Sequence, residues 1–145
     1  MYFTCGLVCM AKAMVFGTFD ILHKGHEYLL NQAKKYGFLV VAIARDENVK
    51  KIKDRFPIHN ERQRMKNLRK LKIADKVVLG YIKEPYKIIA EENPDIICLG
   101  YDQSFFVEGL EKWLKDKKMN VKVVRLKPHK PHKYKSSLLR ERTKL

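Results

Sequence analysis

Short continuous apolar runs alternate along the chain with stretches in which apolar residues recur at helical spacing. The runs predict five buried strands, at 12–16, 38–44, 76–80, 95–100 and 121–126. The spacing between them predicts four helices: from His26 to a C-cap at Gly37, from 61 to 71 behind an Asn60 N-cap, from Pro85 to 92, and from 106 to 118. The polar stretch 45–60 is predicted as a loop or short helix.

Strands that alternate with helices predict an α/β fold. We expect a Rossmann-like, doubly wound sheet of five parallel strands in three α/β/α layers, and the 145 residues suit a single domain. Residues 1–11 are predicted to be an extension, and 12–145 the domain itself with a basic tail over 127–145. Ligands of such sheets bind beyond the carboxyl ends of the strands, which places 17–26 and 100–103 at one edge.

The charge balance favours anionic partners. The 31 lysines and arginines against 16 acidic residues give a net charge of +15, which suits nucleotides, phosphorylated metabolites, nucleic acid or an acidic membrane surface. The three cysteines do not suggest a disulfide scaffold. We expect Cys98 to be a reduced core residue. The spacing of Cys5 and Cys9 would suit half of a metal site, but a second pair is lacking, so we do not expect a metal there. The N-terminal apolar stretch lacks a basic leader and is too short to span a membrane, so a cytoplasmic location is predicted.

The string "GTFDILHKGH" at 17–26 carries the candidate chemistry. It links a predicted strand to a helix N-terminus, where backbone N–H groups and the helix dipole attract phosphate, and its two glycines permit close approach of a ligand. His23 and His26 could each donate a hydrogen bond there. His26 also shares an apolar stripe with Leu29 and Leu30, so spacing alone leaves phosphate contact and core packing both open. Zinc binding lacks a third ligand nearby.

The same string resembles the signature of the HxGH nucleotidyltransferase superfamily, the cytidylyltransferase-like enzymes. Similarity extends over about 13–140, and "ARDENVKKIKDR", "NERQRMKNLRKLKIADKVVLG" and "NPDIICLGYDQ" resemble small archaeal FAD synthases. The resemblance implies an enzyme that joins ATP to FMN and releases pyrophosphate. The alternative is a CTP-dependent glycerol-3-phosphate cytidylyltransferase. A nucleic-acid-binding protein is the alternative from another class, since the charge would suit it.

The resemblance also implies the site residues and partners. The predicted catalytic residues are His23, His26, Lys53 and Arg64. Lys50 and Lys51 are alternatives to Lys53 as the lysine that reaches the phosphates. The predicted nucleotide-binding residues are Gly17, Thr18, Phe19, Asp20, Gly25, Gly100, Tyr101, Asp102, Gln103, Ser136, Ser137 and Arg140. We expect Mg²⁺ to accompany the nucleoside triphosphate, without a dedicated protein site. The expected partners are ATP or CTP and a phosphorylated small molecule, with FMN favoured. A membrane is not expected, and a homodimer is among the expected states.

Overall fold

The computed structural model describes residues 11–100, 103 and 109–127, in which ten elements follow one another. The strands are β1 Lys12–Gly17, β2 Phe38–Ile43, β3 Lys76–Leu79, β4 Ile96–Leu99 and β5 Lys122–Arg125. The helices are α1 Lys24–Lys34, α2 Asp46–Lys53, α3 Glu61–Lys70, α4 Lys87–Glu92 and α5 Leu110–Asp116. All five predicted strands are present, and the polar stretch after β2 contains the short helix α2.

The five strands form one parallel sheet in the order β3-β2-β1-β4-β5, which confirms the predicted fold class. β1 lies at the centre, where Val15 is in register with Val41 of β2 and Cys98 of β4. The strand order reverses between β1 and β4, and the loops that follow these strands diverge there. Such a switch point leaves a crevice at the carboxyl edge, which is where ligands bind in sheets of this type.

Alternate side chains of the sheet enter two separate cores, which makes three layers. On one face, the sheet packs against the buried side of α1 and α3, through Leu30, Ala33 and Leu68. On the other face it packs against α4 and α5, through Ile88, Ile89, Leu110 and Leu114. Cys98 lies in the first core as a free thiol, as predicted, and burial raises its pKa to about 11.

Two predicted helix boundaries are wrong. α1 ends at Lys34 with Lys35 as its C-cap, so Gly37 does not cap it. Gly37 instead adopts φ +142° immediately before β2, where its missing Cβ would lie 2.0 Å from the carbonyl oxygen of Ala11. α4 begins at Lys87 behind Tyr86, so Pro85 precedes the helix and is not in its first turn.

Several predictions lie outside the described residues: the extension up to residue 10 with Cys5 and Cys9, the start of the last helix at 106, and the tail from 128 onward. Within the described ranges, no helix is both long enough and apolar enough to cross a membrane.

Replacement of Gly37 by alanine should destabilise the fold, because the added methyl meets backbone and the residue must keep a positive φ. We expect Gly37→Ala to lower the free energy of unfolding by about 2 kcal/mol or more, measured by urea denaturation. Gly80→Ala is the control, since its Cβ would lie 3.6 Å from the Ile43 oxygen, an ordinary contact. Equal urea midpoints for the two variants would contradict this account of Gly37.

Candidate active site

The loop that leaves β1 is held in a tight shape by Phe19. This residue has a φ of +51° and is buried, with its ring folded back over Gly17. A Cβ at position 17 would lie only 2.6 Å from Phe19 Cε2, so a residue without a side chain is required. The Phe19 ring also contacts the ring of His26, at 5.2 Å between centroids. The loop and the start of α1 therefore pack against each other at the carboxyl edge of the sheet.

His23 is the N-cap of α1. Its backbone is extended, and its Nδ1 accepts a hydrogen bond of 3.0 Å from the amide of Gly25. An accepting Nδ1 carries no proton, so the proton of the neutral ring is on Nε2. Burial lowers the pKa of His23, which favours this neutral form. The Gly25 N–H is thus occupied by the cap, and the close approach of a ligand to the Gly25 backbone stays a prediction.

His26 stacks on His23, with ring centroids 4.0 Å apart and an angle of 29° between the planes. Its Nδ1 is buried and has no hydrogen-bond partner among the described residues. Burial, with smaller effects from His23 and Lys53, lowers the pKa of His26 to about 3. The structure has features of both interpretations of His26, core packing and phosphate contact. The ring packs against aromatic neighbours, and its buried Nδ1 has no hydrogen-bond partner among the described residues. Such an atom costs free energy unless a ligand binds it.

Asp20 joins the first loop to the loop that precedes α3. Its carboxylate is buried and accepts hydrogen bonds from the amides of Ile58, at 2.8 Å, and His59, at 2.9 Å. The resemblance places Asp20 among the nucleotide-binding residues, where its carboxylate could have either of two roles: it could order the loop, or it could touch the acceptor. These contacts favour the first role, because both carboxylate oxygens bind backbone of the second loop.

Arg64 lies beneath the same two loops with no exposed area. Its guanidinium donates to the carbonyl oxygens of Thr18, at 2.8 Å, and His59, at 3.0 Å, and to Asp46 Oδ1 at 2.7 Å. This placement differs from the predicted one, in which Arg64 faces the active site. In this structure Arg64 positions the loops that carry other site residues, and its direct contact with substrate stays a prediction.

Two carboxylates that the sequence did not indicate as partners, those of Asp46 and Glu61, join α2 to α3 through reciprocal hydrogen bonds. Glu61 Oε1 accepts from the amide of Asp46 at 2.9 Å, and Asp46 Oδ2 accepts from the amide of Glu61 at 3.2 Å. Arg45 completes the cluster through a 3.0 Å ion pair to Glu61. Both carboxylates sit in the first turn of a helix, where negative charge is favourable. The "ARDEN…NERQR" string contained these residues, but no local pattern revealed that they pair across 15 positions.

The three candidate lysines of α2 occupy different positions. Lys50 turns toward the C-terminal end of its helix, where its ammonium donates to the carbonyl of Asp54 at 3.3 Å. Lys53 is close enough to His26 for its charge to lower the pKa of that histidine. The structure therefore favours Lys53, the residue chosen from the sequence, as the lysine nearest the motif.

The turn after β4 is fixed by Gln103 and by Arg125. Gln103 accepts from the amide of Gly100 at 2.7 Å and donates to the carbonyl of Phe16 at 2.9 Å, so it links the ends of β4 and β1. Arg125 donates to the carbonyls of Gly100 and Gln103, both at 2.7 Å. The sequence predicted Gly100 and Gln103 at this edge but gave no indication of Arg125, whose partners are 22 and 25 residues away.

Five predicted nucleotide-binding residues lie outside the described residues: Tyr101, Asp102, Ser136, Ser137 and Arg140. Across the described ranges there is no group of three or more histidine, cysteine or acidic side chains that could hold a metal ion. The site is therefore a set of imidazoles, a nearby lysine and a helix N-terminus, which together suit a polyanionic ligand.

A family model described as cytidylyltransferase-like matches residues 14–142. The chain belongs to the cytidylyltransferase-like family. The FAD synthase of Aciduliprofundum boonei is 44% identical over 121 residues, which cover 83% of this chain and 80% of that protein. The FAD synthase of Methanosphaera stadtmanae is 41% identical over 86% of both chains. The crystal structure of the lipopolysaccharide core biosynthesis protein from Thermoplasma volcanium has a TM-score of 0.77 at 38% identity and covers 83% of this chain and 98% of that one.

The low pKa of His26 predicts a loss of stability on mild acidification. Below pH 6.5, the ordinary pKa, the unfolded chain takes up a proton that the folded chain refuses down to about pH 3. Lowering the pH from 6.5 to about 5 should cost roughly 1–2 kcal/mol from this group. We expect His26→Gln to show a shallower pH dependence in urea denaturation over this range. An unchanged slope would contradict the assignment. Glu61 does not interfere, because its hydrogen bonds and the nearby arginines lower the pKa of its carboxyl group and it titrates below this window.

Proposed function

We propose that this member of the cytidylyltransferase-like family is an FMN adenylyltransferase, which joins ATP and FMN to give FAD and pyrophosphate. The observation that carries the proposal is the identity of 41–44% to archaeal FAD synthases over more than four fifths of the chain. The stacked imidazoles of His23 and His26, at the start of α1, are hydrogen-bond donors of the kind that a phosphoryl-transfer reaction needs.

The acceptor phosphate of FMN is already ionised near neutral pH, so the reaction needs no protein nucleophile. One of its oxygens attacks the α-phosphorus of ATP in line, and the bond from that phosphorus to the bridging oxygen breaks as pyrophosphate leaves. The protein contributes positioning and stabilisation of the charge that spreads over the phosphoryl oxygens.

The two histidines and Lys53 supply the fixed donors for that charge. His23 directs its Nε2 proton away from the cap, because Nδ1 is held by the Gly25 amide. His26 is stacked in place against His23 and Phe19, so its ring does not need to reorient during the reaction. The N-terminus of α1 adds the positive end of its dipole. A neutral imidazole beside the cationic Lys53 binds phosphate without the repulsion between two like charges.

Mg²⁺ fits this site as part of the substrate. The carboxylate of Asp20 binds the amides of Ile58 and His59, and no acidic cage exists in the part of the chain that the structure describes. Mg²⁺ in nucleotide sites is commonly held by the phosphates and water with few protein ligands. When bound to the β- and γ-phosphates it would offset charge on the leaving pyrophosphate.

A pyrophosphate-release assay tests the function directly. ATP or CTP is paired in turn with FMN, glycerol 3-phosphate and phosphopantetheine, in the presence of Mg²⁺. We expect release with ATP and FMN, accompanied by FAD that can be separated chromatographically. Release only with CTP and glycerol 3-phosphate would establish the cytidylyltransferase alternative in its place. No release with any pair, together with salt-dependent binding of RNA or DNA, would favour the nucleic-acid-binding alternative.

His26→Ala should lower kcat by about 10²–10³-fold, as expected for the loss of one preorganised donor. The fold should persist, since the ring is only partly buried. The rate is measured with both substrates saturating, and the urea midpoint of the variant near neutral pH serves as the folding control. A folded variant that keeps a near-wild-type kcat would contradict a catalytic role for His26.

A further inference from the structure

Three exposed apolar side chains occupy the segment between α2 and α3. Ile52, Phe56 and Ile58 are 48%, 60% and 61% exposed, which makes them the most exposed large hydrophobic residues that the structure describes. We call these three residues the apolar patch. Exposed apolar area costs free energy in water, and such patches commonly mark binding surfaces.

The backbone that carries the apolar patch is fixed at both ends. Asp46 and Glu61 cap one another across the segment, and the amides of Ile58 and His59 are bound by the buried carboxylate of Asp20. Asp20 belongs to the same loop as the catalytic motif. The side chain of Ile58 therefore projects from a backbone group in direct contact with that loop.

Cationic residues lie next to the apolar patch along the chain. The stretch 50–56 contains one acidic residue, Asp54, and four cationic residues: Lys50, Lys51, Lys53 and Arg55. The ammonium of Lys50 lies 5.8 Å from the centroid of the Phe56 ring. Lys53 is near enough to His26 to lower its pKa. An apolar, partly aromatic surface next to cations and the phosphate site matches a ligand that joins a flat ring system to a phosphate.

We propose that Phe56 and Ile58 form the acceptor subsite, on which the planar ring system of the phosphorylated acceptor stacks while its phosphate lies toward Lys53 and His26. The inference rests on the proposed function and deepens it, because it assigns the part of the protein that selects FMN. The isoalloxazine of FMN has two apolar faces that an exposed phenylalanine can cover. A small polyol phosphate has no ring for this surface, so the apolar patch favours a flavin acceptor over glycerol phosphate.

The test is the affinity of the full-length chain for FMN, followed by quenching of flavin fluorescence with a non-hydrolysable ATP analogue present. We expect Phe56→Ala to raise the Kd of FMN about tenfold, the usual scale for loss of one stacking partner. The KM of FMN should rise in parallel, while the KM of ATP stays within about twofold of the wild-type value. Phe56→Trp keeps a flat ring and should retain FMN affinity.

Tyr36→Ala is the matched control. Tyr36 is an exposed aromatic residue that precedes β2, at the opposite edge of the sheet, and its removal should leave FMN binding unchanged. An FMN affinity of Phe56→Ala equal to that of the wild type would overturn the inference, as would absence of flavin quenching by the wild type. The wild type could also be a dimer that Phe56→Ala converts to monomers without a change in FMN affinity. That result would show that the apolar patch binds a second copy of the chain, and it would overturn the inference too. Failure of the proposed function is distinct, since it appears as wild-type protein that binds FMN but releases no pyrophosphate.

Discussion

The candidate site depends on the buried contacts that join the loop after β1 to the loop before α3. Asp20 receives two backbone amides of the second loop, and Arg64 donates from below to carbonyls of both loops. A fully buried guanidinium is tolerable only when its donors are paired, and here Asp46 supplies the counter-charge. Asp46 also accepts a hydrogen bond from the amide of Glu61, the first residue of α3. Its ion pair with Arg64 therefore links the start of α3 to the loops that carry the histidines and the apolar patch. Removal of Asp46 would leave the fully buried Arg64 guanidinium without its counter-charge, whereas the Asp46 carboxylate is itself partly exposed.

This coupling explains why local pattern predicted the fold well and the site only in part. The strands are short apolar runs, and the three central ones, β1, β2 and β4, are buried on both faces, so a short window contains their whole signal. The cap at Asn60 was equally readable, because its side chain accepts from Gln63 only three residues away. The prediction for Gly37 was wrong because a glycine after a helix can either cap the helix or permit a close backbone contact. Only the position of the Ala11 carbonyl, just before β1, decides between them.

The residues that the sequence missed, or predicted without their partners, act over long separations. Arg64 has the charge of a phosphate ligand, but it meets Thr18 across 46 residues and is enclosed by that contact. Arg125 reaches back to the turn after β4, and Gln103 reaches Phe16 across 87 residues. No spacing rule identifies such partners, because the topology of the sheet brings them together. Polarity alone could not separate residues that touch substrate from residues that hold the loops in place.

Ligand binding should change the charge state of the site. In the free protein His26 is neutral because burial and the positive charge of Lys53 disfavour a proton, and any proton on the adjacent His23 would disfavour a second one on His26. In the proposed complex, the negative charge of a triphosphate would offset the charge of Lys53 and favour a proton on the ring, so we expect the pKa of His26 to rise when ATP binds. An imidazole that starts neutral costs little to keep buried in the absence of ligand. In the proposed reaction, negative charge accumulates on the transferred phosphoryl group, so the hydrogen bond from this ring would be stronger in the transition state than in the ground-state complex. That difference, and not tight binding of the ground state, is what accelerates a reaction.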